Sequence, residues 1–380
     1  MEKVKKRDTN FELLRIIAMI MIVTLHYTQN SGVLNNNGTY TIQNIFFIFL
    51  NAVCSVGVNC FVLISGYYLI NSKFKIQKVI HLWGLVLFYS LGIYLVYKIA
   101  NHSVVNPMNS VETIYIFTPV LNVHYWFIVP YLALYIIFPF LNKMINSLNQ
   151  KQLKAIITIF FVFMCVINNI TPLNQNFEAI GGHSILWFMF LYGVGAYIKK
   201  YKNMDEGKNK YRYLLYYFIC IILGFVFKIV LEKLVNLNIL LQYANARVIA
   251  FNSVFAFLGA VSLFMFFKNI KIKRNIISKS ILFISSNVFA VYLIHEHELN
   301  RQVIWKTKLN IDVAGMQNNF VVHYVVCILI IFVSCVLIEE IRKIIFKLFF
   351  KIPIFNKLKL KVNRKYENIN ERINNFLEEA

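Results

Sequence analysis

Long apolar runs separated by short polar connections are the main pattern in this chain. Ten of these runs are long enough to cross the apolar core of a bilayer, which is about 30 Å thick. They lie near residues 11–29, 45–70, 79–100, 124–141, 154–170, 184–198, 212–235, 247–267, 280–299 and 320–341. The pattern therefore predicts an all-α integral membrane protein with about ten transmembrane helices.

Composition and charge agree with this class of protein. The chain has 380 residues, of which 58% are hydrophobic and 15% are charged, and its net charge is +22. Most Lys and Arg residues fall in alternate connections between the apolar runs, which places the N-terminus and the C-terminus in the cytoplasm. Because these residues are not gathered on one domain, we expect a lipid bilayer as the partner and no nucleic acid. The expected location is the cell membrane, with multiple passes.

Both ends of the chain carry basic residues. The apolar run after the basic N-terminus is too long for a signal sequence and lacks a cleavage site, so we expect a retained first span. We divide the chain into a membrane domain, 1–345, and a basic, charged cytoplasmic tail, 346–380. The tail is either a helix on anionic lipid or a solvated segment. The six cysteines lie in apolar runs without metal-like spacing, which predicts buried thiols.

The first run carries three ionisable residues, Glu12, Arg15 and His26, although charge within a span is costly. Glu12 and Arg15 share one helical face, and eleven residues at about 1.5 Å each place His26 roughly 16 Å further along. An imidazole accepts a proton from a hydroxyl near neutral pH, and a guanidinium binds phosphate. The alternative is structural, with an ion pair at one interface and a hydrogen-bonded histidine at the other.

Small and basic residues end the second run. Ser65 and Gly66 lie near its cytoplasmic end, and Lys75 and Lys78 follow in the connection. The two lysines are suited to the phosphates of a cofactor, although a basic cytoplasmic loop explains them equally well. Gly66 either permits a close approach to the cofactor or marks a contact between helices.

Polar and aromatic residues also lie at the outer ends of the fourth and ninth runs. His124 and Trp126 begin the fourth run, where Trp is also typical of a membrane interface. Tyr292 and His295 end the ninth run on one helical face. Residues 296–298, Glu-His-Glu, suggest a metal site, but consecutive side chains point in different directions and no third ligand is placed. We therefore expect no metal.

Four segments together resemble the motifs of acyltransferase family 3, whose members O-acylate glycans and other extracytoplasmic acceptors. The family's first span has an acidic residue three positions before an Arg, and a His after ten further residues. The matching residues are Glu12, Arg15 and His26, followed by Phe61–Tyr67, His124–Phe127 and Tyr292–His295. The resemblance covers about 11–299. The chain departs from the family in having lysines where many relatives have an Arg-rich run.

The resemblance implies a membrane O-acyltransferase that moves an acyl group, most simply acetyl, from cytoplasmic acyl-CoA. The acceptor is expected to be a hydroxyl of an extracytoplasmic or lipid-linked polysaccharide. Separate polysaccharide-assembly proteins are possible partners, since the chain lacks the esterase-like domain of some relatives. The expected roles are catalysis by His26 and Glu12, donor binding by Arg15, Ser65, Lys75 and Lys78, and substrate binding by His124, Trp126, Tyr292 and His295.

Two other functions fit part of the pattern. A transporter or flippase would also have ten spans with buried polar residues, but it usually shows paired interrupted spans in two halves, and no such symmetry is evident. A membrane sensor or scaffold would keep the fold without the chemistry, which the intact Glu12, Arg15 and His26 disfavour. The longest charged outer connection, 300–319, contains Arg301, Trp305 and Asp312 and is the candidate loop for contact with a glycan.

Overall fold

Helices account for all of the regular secondary structure in the described residues of the computed structural model. The structure describes residues 7–34, 41–105, 110–120, 125–170, 181–202, 210–234, 237, 239–273, 275–309, 311 and 318–379. No strand occurs in these ranges. The prediction of an all-α membrane protein is confirmed.

Seventeen α-helices follow one another along the described ranges. They are α1 (Thr9–Asn30), α2 (Ile42–Cys54), α3 (Gly57–Leu69), α4 (Ile76–Ile99), α5 (Ser110–Phe117), α6 (Ile128–Ser147), α7 (Gln150–Phe161), α8 (Asn168–Ile170), α9 (Ile185–Tyr201), α10 (Lys210–Leu234), α11 (Ile239–Arg247), α12 (Val254–Lys268), α13 (Ile276–Ser285), α14 (Val288–His295), α15 (Glu298–Asn300), α16 (Phe320–Phe349) and α17 (Pro353–Glu379). Two π-helical segments, Val162–Ile167 and Arg301–Lys308, continue α7 and α15.

All ten predicted apolar runs coincide with helices. Within the described residues, eight helical segments are long and apolar enough to cross a membrane. The sixth and eighth runs correspond to the shorter α9 and α12, which have 17 and 15 residues. The count of ten crossings and the cytoplasmic placement of both termini therefore remain predictions.

Helix α1 lies at the centre of the bundle. It packs against α2, α3, α12, α13, α14 and α16, and most of its apolar length is buried. By contrast, α4, α7, α10 and α16 expose most of their apolar surface, as expected for helices that face lipid tails. The charged residues of α1 therefore lie inside the protein rather than against lipid.

Two of the long apolar segments are broken, and each break positions part of the site. Ser55 and Val56 separate α2 from α3, and the chain there lies close to α1, since a Cβ on Gly57 would be 3.0 Å from the Ala18 carbonyl oxygen. Ser286 and Asn287 separate α13 from α14. The Lys343 ammonium donates hydrogen bonds to the Ser286 hydroxyl and the Asn287 side chain, which holds this second break.

Gly66 marks a close crossing of α3 and α9, so the interpretation as a contact between helices is correct. A Cβ on Gly66 would overlap the Tyr192 carbonyl, and a Cβ on Gly195 would overlap the Leu63 carbonyl. Helices in membranes use small residues for such backbone contacts.

We predict that Gly66→Ala destabilises the fold, because the added methyl group must push two backbones apart. The expected loss is about 1–3 kcal/mol, the usual effect of overpacking. Thermal unfolding of the purified protein in detergent measures it. Gly92→Ala on α4 is the matched control, since nothing lies within 4 Å of its Cβ position. Equal melting temperatures for the two variants would contradict the prediction.

The described ends of the chain meet at one end of the bundle. The Tyr68 hydroxyl near the end of α3 donates to Asp8, which precedes α1, at 2.6 Å. Asn370 of α17 accepts a hydrogen bond from the Ile76 N–H at the start of α4. We call this end the inner end and the opposite end the outer end. The proposed division at 345 remains a prediction, although α16 continues to Phe349 and the tail forms α17.

Candidate active site

A cavity of about 220 Å³ opens toward the outer end of the bundle, and we call it the outer cavity. Its polar side chains include His26 and Gln29 of α1, His183, Glu296 and Arg301. Apolar and aromatic side chains from α1, α3, α14 and the segments before α6 and α12 form the rest of the wall. A mostly apolar cavity with a few convergent polar groups is the usual form of a small-molecule site.

His26 is held by two side chains that follow one another in the chain. Its Nδ1 lies 2.8 Å from His295 Nε2 and 3.1 Å from Glu296 Oε2. His295 Nδ1 lies 2.5 Å from the Val291 carbonyl oxygen, which can only accept a hydrogen bond. His295 therefore carries its proton on Nδ1, and its Nε2 accepts from the Nδ1–H of His26. This assignment leaves the lone pair of His26 on Nε2, ready to take a proton from a hydroxyl.

Glu296 bridges the imidazole and a cation. Its Oε1 lies 3.3 Å from Arg301 Nη1, and its Oε2 faces His26. Glu296 lies just beyond the end of α14, and burial raises the pKa of its carboxyl to about 7, an effect that the Arg301 guanidinium opposes. A carboxylate here would stabilise the imidazolium that forms when His26 takes up a proton.

The same three side chains also form a possible metal-binding set. His26, His295 and Glu296 each offer one ligand atom, and these atoms lie within 4.8 Å of one another. Two His and one Glu are a set that zinc accepts in enzymes. The direct hydrogen bond between the two imidazoles accounts for their proximity without an ion. The prediction that the protein uses no metal is untested and remains a prediction.

Aromatic rings surround the outer cavity. Trp126 stacks on Phe251 with ring centroids 5.7 Å apart, and it contacts His183 edge-on at 4.3 Å. The ring of Tyr292 lies 6.4 Å from that of His26. Trp126 and Tyr292 thus line the cavity as a substrate-binding role requires. His124, predicted for the same role, lies outside the described residues.

A second cavity, of about 280 Å³, lies at the inner end, and we call it the inner cavity. Arg15, Ser65, Lys78 and His81 contribute its polar lining. The Lys78 ammonium lies 5.8 Å from the ring centre of Tyr135, which also lines the cavity. Lys75 is exposed beside it and does not contribute to the wall. Three of the four predicted donor-binding residues therefore meet in one place.

Glu12 belongs to the inner end and not to the cavity of His26. Its Oε1 lies 3.1 Å from Arg15 Nη1 and 3.4 Å from Arg7 Nε, and its side chain is buried. Glu12 and His26 are fourteen positions apart, which corresponds to about 21 Å of helix. These contacts support a role for Glu12 in orienting Arg15. Glu12 does not contact His26, so no contact supports the predicted catalytic role.

A thin wall of four side chains, which we call the partition, separates the two cavities. Phe61 and Phe127 line the outer cavity, whereas Ser65 and Tyr131, one turn further along the same helices, line the inner cavity. The Ser65 hydroxyl donates to the Phe61 carbonyl oxygen at 3.0 Å and lies 3.4 Å from the Tyr131 hydroxyl. The rings of Phe127 and Tyr131 stack with centroids 5.3 Å apart.

Several residues at the site are not predicted as site residues by the sequence. The sequence pattern indicates Glu296 only as a possible metal ligand and Arg301 only as part of a loop, and it assigns no role at the site to His81 or His183. Residues 301–308 form a π-helix instead of a loop, and Trp305 is fully buried against Tyr27 and His295 instead of facing a glycan. Asp312 lies outside the described residues.

The helical fold and the two cavities define a class of protein: a polytopic membrane protein with a buried, hydrogen-bonded histidine in one cavity and cationic side chains in the other. A family model described as an acyltransferase domain matches residues 8–340. The chain therefore belongs to acyltransferase family 3, and acyl transfer in a membrane is its general activity, as the motifs predicted. Comparison with curated proteins and with solved structures gave no match.

Proposed function

We propose that the chain transfers an acetyl group from acetyl-CoA, bound in the inner cavity, to a hydroxyl of an extracytoplasmic or lipid-linked polysaccharide in the outer cavity. One observation carries the proposal most directly. A single helix, α1, presents Arg15 to the inner cavity and an oriented imidazole, His26, to the outer cavity. Donor and acceptor thus have separate sites on one rigid element.

The inner cavity has the chemistry of a phosphate site. Arg15 and Lys78 supply positive charge, and Arg15 is held by Glu12 so that part of its guanidinium faces the cavity. Among the described residues, the lining contains no Asp or Glu. The phosphates of CoA carry negative charge and suit such a surface. The pantetheine arm of CoA would then extend toward His26, roughly 16 Å along α1.

The outer cavity has the chemistry of a hydroxyl-activating site. His26 Nε2 takes the proton of the acceptor hydroxyl as its oxygen attacks the thioester carbonyl. The new C–O bond replaces the C–S bond, and the CoA thiolate leaves with the proton that His26 returns. Glu296 balances the charge of the imidazolium between these steps. Trp126, His183 and Phe251 provide flat faces against which a sugar ring packs.

The acyl carbon must pass the partition between the cavities. Phe61 and Phe127 are only half-buried and belong to the walls of the outer cavity. Rotation of these rings about their side-chain bonds requires no movement of a helix. Passage of the acyl group in this mechanism therefore requires these rings to turn aside.

Labelled acetyl-CoA and purified protein in liposomes test the proposal. We expect release of CoA and transfer of label to added surface polysaccharide, and loss of both with His26→Gln. Mass spectrometry of the polysaccharide from cells with and without the chain identifies the acylated position and the acyl group. A polysaccharide from these cells that carries a different acyl group, for example succinyl, would correct the acyl group. Movement of substrate without covalent transfer would overturn the proposal.

We predict that Arg15→Gln weakens donor binding, because it removes a charge-assisted contact to phosphate. The expected rise in the KM for acetyl-CoA is about tenfold to a hundredfold, as for other hydrogen bonds to charged groups. Initial rates at varied acetyl-CoA measure it. Arg212→Gln, which removes an exposed charge at the start of α10, is the control. An unchanged KM for Arg15→Gln would contradict the role.

A further inference from the structure

The C-terminal helix α17 lies outside the matched region 8–340, yet it packs on the segment that leads into the inner cavity. Leu377 is buried, and Ile373 packs against the hydrophobic core of the bundle. Asn370 and Asn374 lie on the same face of α17, one turn apart, because their separation is four residues. This face therefore combines apolar burial with two amide side chains.

Asn374 forms two hydrogen bonds with the backbone of Phe74, a residue that does not belong to a helix. The Phe74 N–H donates to Asn374 Oδ1 at 3.2 Å, and Asn374 Nδ2 donates to the Phe74 carbonyl oxygen at 3.1 Å. Phe74 itself is buried in the extended stretch between α3 and α4. The side chain of Asn374 thus replaces the neighbouring strand or water that such a backbone requires.

Asn370 supplies a cap that α4 lacks. Lys75 is the N-cap residue of α4, and its own side chain makes no capping hydrogen bond. The Ile76 N–H instead donates to Asn370 Oδ1 at 2.8 Å, and Asn370 Nδ2 donates to the Gln77 side chain at 2.7 Å. Asn is among the preferred residues for capping a helix N-terminus, normally from the adjacent position. Here the cap comes from a residue 294 positions away.

The capped turn carries Lys78, which lines the inner cavity. Lys78 lies two residues after Ile76, so the position of its ammonium follows the position of this first turn. We propose that α17 clamps the start of α4 and that Asn370 and Asn374 are positioning residues for the donor site. This inference rests on the proposed binding of acyl-CoA in the inner cavity. It assigns a function to a helix outside the family domain.

Matched double variants of α17 test the clamp. Asn370→Ala with Asn374→Ala removes both pairs, whereas Asn368→Ala with Asn375→Ala changes two exposed residues of the same helix. In liposomes, we expect the first variant to raise the KM for acetyl-CoA about fivefold to tenfold, as loss of a cap implies, with kcat changed less than twofold. We expect the second to match the wild type. A wild-type KM in the first variant, or a fall in kcat alone, would overturn the clamp.

A conservative variant separates positioning from general stability. Asn370→Asp keeps the oxygen that accepts from Ile76, so its KM should stay close to that of the wild type, while that of Asn370→Ala should rise. Equal KM values for the two would overturn the capping role.

Hydrogen exchange distinguishes failure of the clamp from failure of the proposed function. In the purified protein, the amides of residues 74–76 should exchange faster in the Asn370→Ala and Asn374→Ala double variant than in its exposed control. Equal exchange overturns the clamp whatever the reaction is. If the wild type shows no turnover of acetyl-CoA, the proposed function fails, and faster exchange still supports a clamp on the inner end of α4.

Discussion

Replacing His26 with Gln is expected to lower acyl transfer about 10²- to 10⁴-fold, the range that a positioned general base contributes. Gln fits the space and can still hydrogen-bond to His295, but it cannot take up a proton near neutral pH. The KM for acetyl-CoA should change little, because the inner cavity keeps Arg15 and Lys78. The rate of CoA release in liposomes measures the effect.

The control for this variant is His102→Gln. His102 follows α4, contacts Tyr97 and is not among the residues that line the outer cavity. Its variant should keep wild-type turnover. Turnover of His26→Gln within twofold of the wild type, with the protein folded, would show that the base lies elsewhere.

Glu296→Gln is expected to slow acyl transfer about tenfold to a hundredfold, since the carboxylate that faces His26 and would stabilise its imidazolium is lost. The variant should also lose part of the pH dependence. Because the pKa of Glu296 is raised to about 7, its carboxylate is present above pH 7 and is lost as the pH falls below it. Wild-type turnover should therefore decline in acid. A profile of initial rate against pH for both proteins measures this difference.

His26, His295 and Arg301 face Glu296, and the side chains of Tyr125 and Tyr292 also interact with its carboxyl. The test therefore compares the full profiles of initial rate against pH for the wild type and the variants, and not their rates at one pH. In Glu296→Gln, the acid limb should shift or flatten, whereas Glu298→Gln, two residues away and outside the cavity, should keep the wild-type profile. Identical profiles for the wild type and Glu296→Gln would show that the carboxylate does not support His26.

The apolar pattern is enough to locate each of the eight apolar segments of membrane length, because lipid leaves helices as almost the only way to bury backbone groups. The charges of α1 are also evident from sequence, since Glu12, Arg15 and His26 are costly wherever they lie in a span. The separation of Glu12 and Arg15 from His26 along α1 follows from helical rise alone. This part of the site rests on local geometry, which sequence encodes directly.

The partners of His26 depend on tertiary structure instead. Four consecutive polar residues, His295 to Glu298, point in different directions, and the end of α14 at His295 decides which of them faces α1. Trp305 is buried and its ring packs against Tyr27 and His295. The sequence near Trp305 does not predict these contacts. Sequence spacing can therefore indicate which residues at this end of the ninth run are candidates for the site. It cannot indicate which of them contacts His26.

The contacts of the C-terminal tail also could not be predicted from the sequence. Its pattern indicates either a helix on lipid or a solvated segment, whereas the structure docks α17 on the backbone of Phe74 and Ile76. Asparagine side chains that pair with a distant backbone carry no sequence signal, since Asn368 and Asn375 look equivalent to Asn370 and Asn374 until the fold places them.

The partition between the cavities has a consequence for the cell that makes this protein. A water-filled passage from Arg15 to His26 would carry protons and dissipate the electrochemical gradient across the bilayer. The stacked rings of Phe127 and Tyr131, with Ser65 bonded to the preceding turn, lie between the two cavities, where such a passage would have to run. An acyl group drawn past these rings is itself apolar and carries no ion with it. The proposed transfer of an acyl group across the bundle is therefore compatible with a membrane that stays impermeable to ions.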